Sequence, residues 1–168
     1  MSKINIDRIV KDIKSRSNSL TPIIEAVCNS IDAIGFNRTD GLIDIIVKRD
    51  GQQKLELADN RASADIIAID IVDNGDGFTD KNRDSFDTYL SGLKVSQGGK
   101  GFGRFMYLKY FNHVSVESVY WDGSKYRQRS FTFGHNNEII ENEKIEDTSS
   151  ANAGTILHLS SIKSRDLD

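Results

Sequence analysis

Cysteine is almost absent from this 168-residue chain: Cys28 stands alone, so no internal disulfide can form. Proline occurs once, and no proline-rich or low-complexity linker divides the chain. The three histidines, His113, His135 and His158, lack the short ligand spacing of a zinc or iron site. A surplus of positive charge is missing too. With 22 Lys and Arg against 25 Asp and Glu, the formal charge is −3, which gives no general attraction to nucleic acid or an anionic membrane. No apolar run reaches the length of a membrane span. The amino-terminal stretch MSKINIDRIVKDIKSR carries charges where a secretory signal needs an apolar core, so the expected location is the cytoplasm.

What remains is an ordinary globular balance, 38% hydrophobic and 28% charged, in a chain of one-domain length. Ile6, Ile9, Val10 and Ile13 recur at helical spacing. TPIIEAVCNSIDAIGF then reads as a helix that Thr21 can cap, with Pro22 in its first turn and Gly35 at its end. Strand-like runs follow at 42–48, 52–57 and 64–73. Residues 80–91 and 102–111 read as helices, and 113–121, 125–133 and 154–162 as strands. The acidic stretch 135–152 reads as a hairpin and loop. Late neighbouring strands favour antiparallel pairing. The expected architecture is α+β: a two-layer α/β sandwich with a mixed, largely antiparallel sheet and helices on one face.

Chemistry could sit in three places. Glu25, Asn29 and Asp32 fall at i, i+4 and i+7, on one face of the first long helix. That stripe is either a solvent-facing edge or, since Ile23, Ile24, Val27 and Ile31 nearly surround it, the lining of a partly enclosed cavity. Glutamate can act as a general base, and an asparagine carbonyl is a hard oxygen ligand suited to Mg²⁺. The second place is DIVDNGDGF, residues 70–78. It fits an ordinary Asn-Gly turn, or a carboxylate, Asp73, set to accept a hydrogen bond from an exocyclic amine while Gly75 and Gly77 leave room for a flat ring. Asp73, Asp76 and Asp80 also suggest a calcium loop, but the ligand order of an EF-hand is missing. The third place is GGKGFGRF, residues 98–105, a G-x-x-G-x-G pattern before a helix. Backbone N–H groups at such a helix start can hold an anion, with Lys94, Lys100 and Arg104 adding charge. It is neither a Walker A loop nor a convincing dinucleotide fingerprint.

The order of these elements resembles the Bergerat-fold or GHKL ATPases, the superfamily of DNA gyrase, the ninety-kilodalton heat-shock chaperones, histidine kinases and MutL, with the MORC ATPases as relatives. EAVCNSIDA resembles the N box, DNGDGF the adenine-site box and GGKGFGRF the phosphate-lid box. AGTILHL (153–159) is similar to the Gly-Thr strand that closes the adenine pocket. The form E…N…DA looks like the hydrolytic branch, nearest the heat-shock-chaperone-like and MORC-like groups.

The resemblance implies roles. Glu25 matches the general base that activates the attacking water, and Asn29 the Mg²⁺ ligand; Asp32 supports the site from the same face. Asp73 matches the carboxylate that receives the adenine amino group, with Thr155 nearby. Gly75 and Gly77 shape the pocket and Phe78 packs near the base. Gly99, Gly101 and Gly103 supply lid backbone around the phosphates, with Lys94 and Lys100 as phosphate contacts. The implied activity is Mg²⁺-dependent ATP binding and hydrolysis that drives conformational change or dimerisation of a larger protein. The implied partners are ATP and ADP, downstream domains of the same chain and a second copy, with nucleic acid reached only through other domains and no membrane. A non-catalytic nucleotide-sensing module and the phosphotransferase domain of a sensor histidine kinase are the alternatives. Hydrolytic members commonly use a lysine from a second domain. This chain stops just after the Gly-Thr strand, so the resemblance implies the amino-terminal part of a longer protein, slow or inactive alone.

Overall fold

Six strands form one sheet in the order β1-β2-β6-β3-β4-β5, and every neighbouring pair is antiparallel. They are β1 (Ile43–Arg49), β2 (Ile66–Asp73), β3 (Phe111–Trp121), β4 (Tyr126–Phe133), β5 (Ile140–Asp147) and β6 (Gly154–Ile162). Three helices accompany them: α1 (Thr21–Ile34), α2 (Asp80–Asp87) and α3 (Gly103–Tyr110). The computed structural model describes residues 6, 10, 18–50, 65–87, 103–134 and 138–163. The strand expected at 52–57 lies outside them.

Alternation decides which face of the sheet is covered. Ile69 and Ile71 of β2, Leu157 and Leu159 of β6, Val114 and Val116 of β3, and Phe131 and Phe133 of β4 share one face and are buried. Phe105, Tyr107 and Leu108 of α3, Ala26 of α1 and Ile6 complete the same core. Leu159 and Phe111 are fully buried, which stabilises the fold by roughly 1.5–3 kcal/mol for each such side chain. The opposite face carries Ile46 and Ile156, both substantially exposed. The two-layer α/β sandwich expected from the sequence is therefore the one found, with its pairings all antiparallel rather than mixed among the described strands.

Helix α1 ends as its sequence directs. Gly35 takes φ 81°, and its N–H donates to the Ile31 carbonyl at 2.9 Å. Its start differs from expectation. Thr21 is the first helical residue instead of the cap, and its hydroxyl accepts the Asn18 N–H at 3.1 Å and donates to Asn18 Oδ1 at 3.2 Å. The stretch 135–152, expected as a hairpin and loop, contains the edge strand β5, which pairs antiparallel with β4. Glu141, Glu143, Lys144, Glu146 and Asp147 make β5 look like a polar loop in sequence, yet charge along an edge strand also blocks further strand pairing.

At the far end of α3 the chain passes straight into β3. Lys163 closes that junction: its N–H donates to the Tyr110 carbonyl at 2.8 Å and its Nζ to the Leu108 carbonyl at 2.6 Å. A cation there also suits the negative end of the helix dipole.

Candidate functional site

The strand order brings four polar side chains into one row across the covered face of the sheet. Asp73 pairs with Thr155, Thr155 with Ser118, and Ser118 with Arg129. All four are buried. Polar groups survive there because they find hydrogen-bond partners, most of them beyond the row.

Asp73 is the centre of the row. Its Oδ2 accepts the Ser30 hydroxyl at 2.8 Å and its Oδ1 the Gly75 N–H at 2.9 Å, with the Thr155 N–H as a further donor. Burial still outweighs these bonds and pushes the carboxyl above the ordinary aspartate range. Such a group binds a hydrogen-bond donor strongly, because water competes poorly for it.

The turn after Asp73 is held from three sides. A Cβ on Gly75 would come within 2.8 Å of the Ala33 backbone, so this residue lets the turn lie directly on α1. Gly77 takes φ 74°, and a Cβ there would overlap the Val119 carbonyl. The Phe78 N–H donates to Ser118 Oγ at 2.8 Å, and that hydroxyl in turn donates to the Gly154 carbonyl at 3.0 Å. Arg129 lies over the Tyr120 ring at 4.8 Å and donates to the Phe78 carbonyl at 2.6 Å and to Asp80 at 2.5 Å. The Phe78 ring packs edge-on against Phe86 and Phe131, with centroids 5.5 and 5.2 Å apart. The DNGDGF turn is thus clamped between α1 and the sheet, and it holds no resemblance to a free loop around calcium.

Glu25 and Asn29, both half-buried, stand on helix α1, the helix whose Ser30 bonds Asp73. Its most buried stripe is Pro22, Ala26 and Ser30, and Asp32 is exposed farther along. The apolar wall expected around the stripe is incomplete: Ile24 and Ile31 face solvent, while Ile23 and Val27 are half-buried. Asn29 Nδ2 donates to the Tyr107 hydroxyl at 2.9 Å. The start of α3 lies against Glu25, since a Cβ on Gly103 would overlap Glu25 Oε2. An amide oxygen beside a carboxylate is a hard oxygen donor set, which fits Mg²⁺.

The structure therefore brings Asp73, Gly75, Gly77, Phe78 and Thr155 together, and sets Glu25, Asn29 and Gly103 side by side. Lys94, Gly99, Lys100 and Gly101 lie outside the described residues. Four residues of the site escaped the sequence reading: Ser30, Tyr107, Ser118 and Arg129. Ser118 and Arg129 did leave a signal. Each is a polar residue at an inward position of an alternating strand, after Val114 and Val116 in one case and before Phe131 and Phe133 in the other. Ser30 and Tyr107 left none, because their partners come from distant segments.

No protein-family model matches this chain. No curated protein sequence matches it either. In structure it is similar to the ATPase region of topoisomerase II from Saccharomyces cerevisiae, with a TM-score of 0.55 and 13% identity. The match covers 86% of this chain and 40% of that one, so this chain spans well under half of its structural neighbour. At that identity the likeness is one of fold. Among the described residues no helix is long and apolar enough to cross a membrane.

Proposed function

We propose that this chain binds ATP with Mg²⁺ and hydrolyses it, and that the cycle drives conformational change or dimerisation of a larger protein. The observation that carries this reading is the buried carboxylate of Asp73, hydrogen-bonded by Ser30 and Gly75 and aligned with Thr155. A buried acceptor of this kind suits the exocyclic amine of adenine. The ATPase region of topoisomerase II has the same fold, which supports the reading.

In this assignment Asp73 accepts a hydrogen bond from the adenine amino group, and the clamped turn from Gly75 to Phe78 forms the pocket wall. Thr155 and Ser118 fix the opposite side through their hydroxyls, which lie 3.3 Å apart. Glu25 takes a proton from the water that attacks the terminal phosphate. Asn29 holds Mg²⁺, which would neutralise charge on the phosphate oxygens. Gly103 brings the start of α3 against Glu25, and the preceding residues Lys94, Gly99, Lys100 and Gly101 supply the lid. Asp32 supports the site from the same helix. The protein works in the cytoplasm, where ATP is available, with downstream domains and a second copy as partners.

Glu25→Ala is the test. Losing a positioned general base lowers turnover by about 10²- to 10⁴-fold and leaves ATP binding in place. Equal hydrolysis by the variant and the wild type would overturn the mechanism. Tight ATP binding with no hydrolysis in either, both measured within the larger protein, would identify a nucleotide-sensing module.

A further inference from the structure

The two edges of the sheet differ in kind. β5 is charged at Glu141, Glu143, Lys144, Glu146 and Asp147, the pattern that deters a further strand. At the other edge β1 reads IDIIVKR, and Ile45, Ile46 and Val47 are each close to half exposed. Among the described residues β1 pairs with β2 alone.

The bonds at its two ends show which backbone groups face outward. The Leu42 N–H donates to Asn74 Oδ1 at 2.8 Å, and the Leu42 carbonyl accepts the Asn74 N–H at 3.3 Å. Beyond the other end, the Asp50 N–H donates to the Asp65 carbonyl at 2.9 Å. Successive residues of an antiparallel strand turn their backbone groups to opposite sides. Leu42, Asp44, Ile46 and Lys48 therefore face β2, and Ile43, Ile45 and Val47 direct N–H and C=O away from it.

We propose that β1 docks antiparallel against β1 of a second copy, about a two-fold axis at Ile46, so that two sheets become one. The strand is complementary to itself in that register. Ile45 meets the partner's Val47, and both carry outward-facing backbone groups that can exchange hydrogen bonds. Asp44 meets the partner's Lys48 on both sides of the axis. Those two fall at non-hydrogen-bonded positions, where facing side chains come closest. Charge selects this register. Moving the axis to Val47 sets Asp44 against the partner's Asp50, and moving it to Ile45 sets Lys48 against the partner's Leu42. Lys48 also bridges Asp70 at 2.6 Å, which holds its ammonium on the sheet face that Asp44 shares. A second copy supplies the match twice at once, as an isologous contact must. The contact needs no nucleotide, so the inference goes beyond the ATP reading and stands independently of it.

The test is sedimentation equilibrium of the whole chain without nucleotide, in a Cys28→Ser background that removes the exposed thiol. The wild type should dimerise. Asp44→Lys and Lys48→Asp each set like charges face to face twice, and each should raise the dimer Kd about 10-fold or more. Mixing the two variants leaves only opposite charges across the axis, so a heterodimer should form within about three-fold of the wild-type Kd. Mixing cannot repair a variant that fails to fold. Ile46→Cys should cross-link to itself under mild oxidation, because facing residues at such a position lie about 4.5 Å apart at Cα. Ile156→Cys, exposed on the same face but two strands away, should not. A wild type that stays monomeric at its highest soluble concentration overturns the proposal. So does a dimer whose Kd the single variants leave unchanged, a mixture that does not associate, or an Ile46→Cys that does not cross-link.

Discussion

Replacing Asp73 by asparagine changes one end of one side chain and little else in the pocket. The new amide keeps an oxygen that can accept the Gly75 N–H, now 2.9 Å from Oδ1. Its NH₂ falls where Oδ2 now accepts the Ser30 hydroxyl at 2.8 Å, and that hydroxyl can rotate to accept instead. The fold should survive. Adenine would meet a donor where it needs an acceptor, and a hydrogen bond to a charged group contributes about 1.5–3 kcal/mol, or about 10- to 150-fold in Kd. Thermal denaturation at neutral pH reads this directly. At 100 times the wild-type Kd, ATP stabilises the protein by about 2.7 kcal/mol, and in the variant by about 1.4 down to about 0.3 kcal/mol. For a protein of this size that takes the ATP-induced rise in Tm from about 5–11 °C to about half of it or less. Inosine triphosphate, with a carbonyl in place of the amine, should lose far less affinity than ATP. The pH dependence has opposite signs for folding and binding. Burial raises the Asp73 carboxyl, so the folded protein holds that proton more tightly than the unfolded chain does. Its contribution to stability is then largest at low pH and falls as pH rises through the raised value. ATP binding needs the ionised form, so affinity should fall as pH drops through that value, above the ordinary aspartate range. Wild-type ATP affinity in a folded Asp73→Asn variant would refute the reasoning.

Two further perturbations test the framework around the pocket. Ser118→Ala leaves the Phe78 N–H without its 2.8 Å acceptor. An unsatisfied buried donor costs about 1–3 kcal/mol, which lowers Tm by about 2–12 °C in a domain of this size; a change within about 1 °C would show that the clamp on the turn does not matter. Asp122 lies in the β3–β4 turn, where the Lys125 and Ser124 N–H groups and the Ser124 hydroxyl hold its carboxyl down to about 2 from 3.8. A depressed value means stabilisation that is complete above the unfolded value and is lost as pH falls through the folded one. Acid denaturation should therefore find the wild type more stable than Asp122→Ala at neutral pH, with the gap closing below 3.8 and gone below about 2. A gap independent of pH would contradict it.

Much of the fold was legible because its signals are local. The run GTILHLSSI is β6 residue for residue, and LIDIIVK and ADIIAIDIVD match β1 and β2 to within two residues. Gly35 ended α1 as a glycine with positive φ should. A hairpin was legible at 135–152, but the bounds of β5 were not, because it is a charged edge strand whose only described partner is β4. Ile24 and Ile31 misled for a related reason: helical periodicity shows that a helix has faces, but not which face a particular sheet covers.

The sequence by itself determined the ingredients: a helix carrying Glu25 and Asn29, a carboxylate at a strand end, a glycine-rich helix start and a Gly-Thr strand. Backbone preference and side-chain chemistry act over a few residues, and those residues are all present in the linear text. Only the tertiary structure decided which of them are neighbours. β6, last in the chain, inserts between β2 and β3, and that insertion sets Thr155 between Asp73 and Ser118. The packing of α3 on α1 sets Tyr107 against Asn29, 78 positions away. Pairing register and helix packing depend on burying one continuous apolar face, a property of the whole chain that no single motif carries.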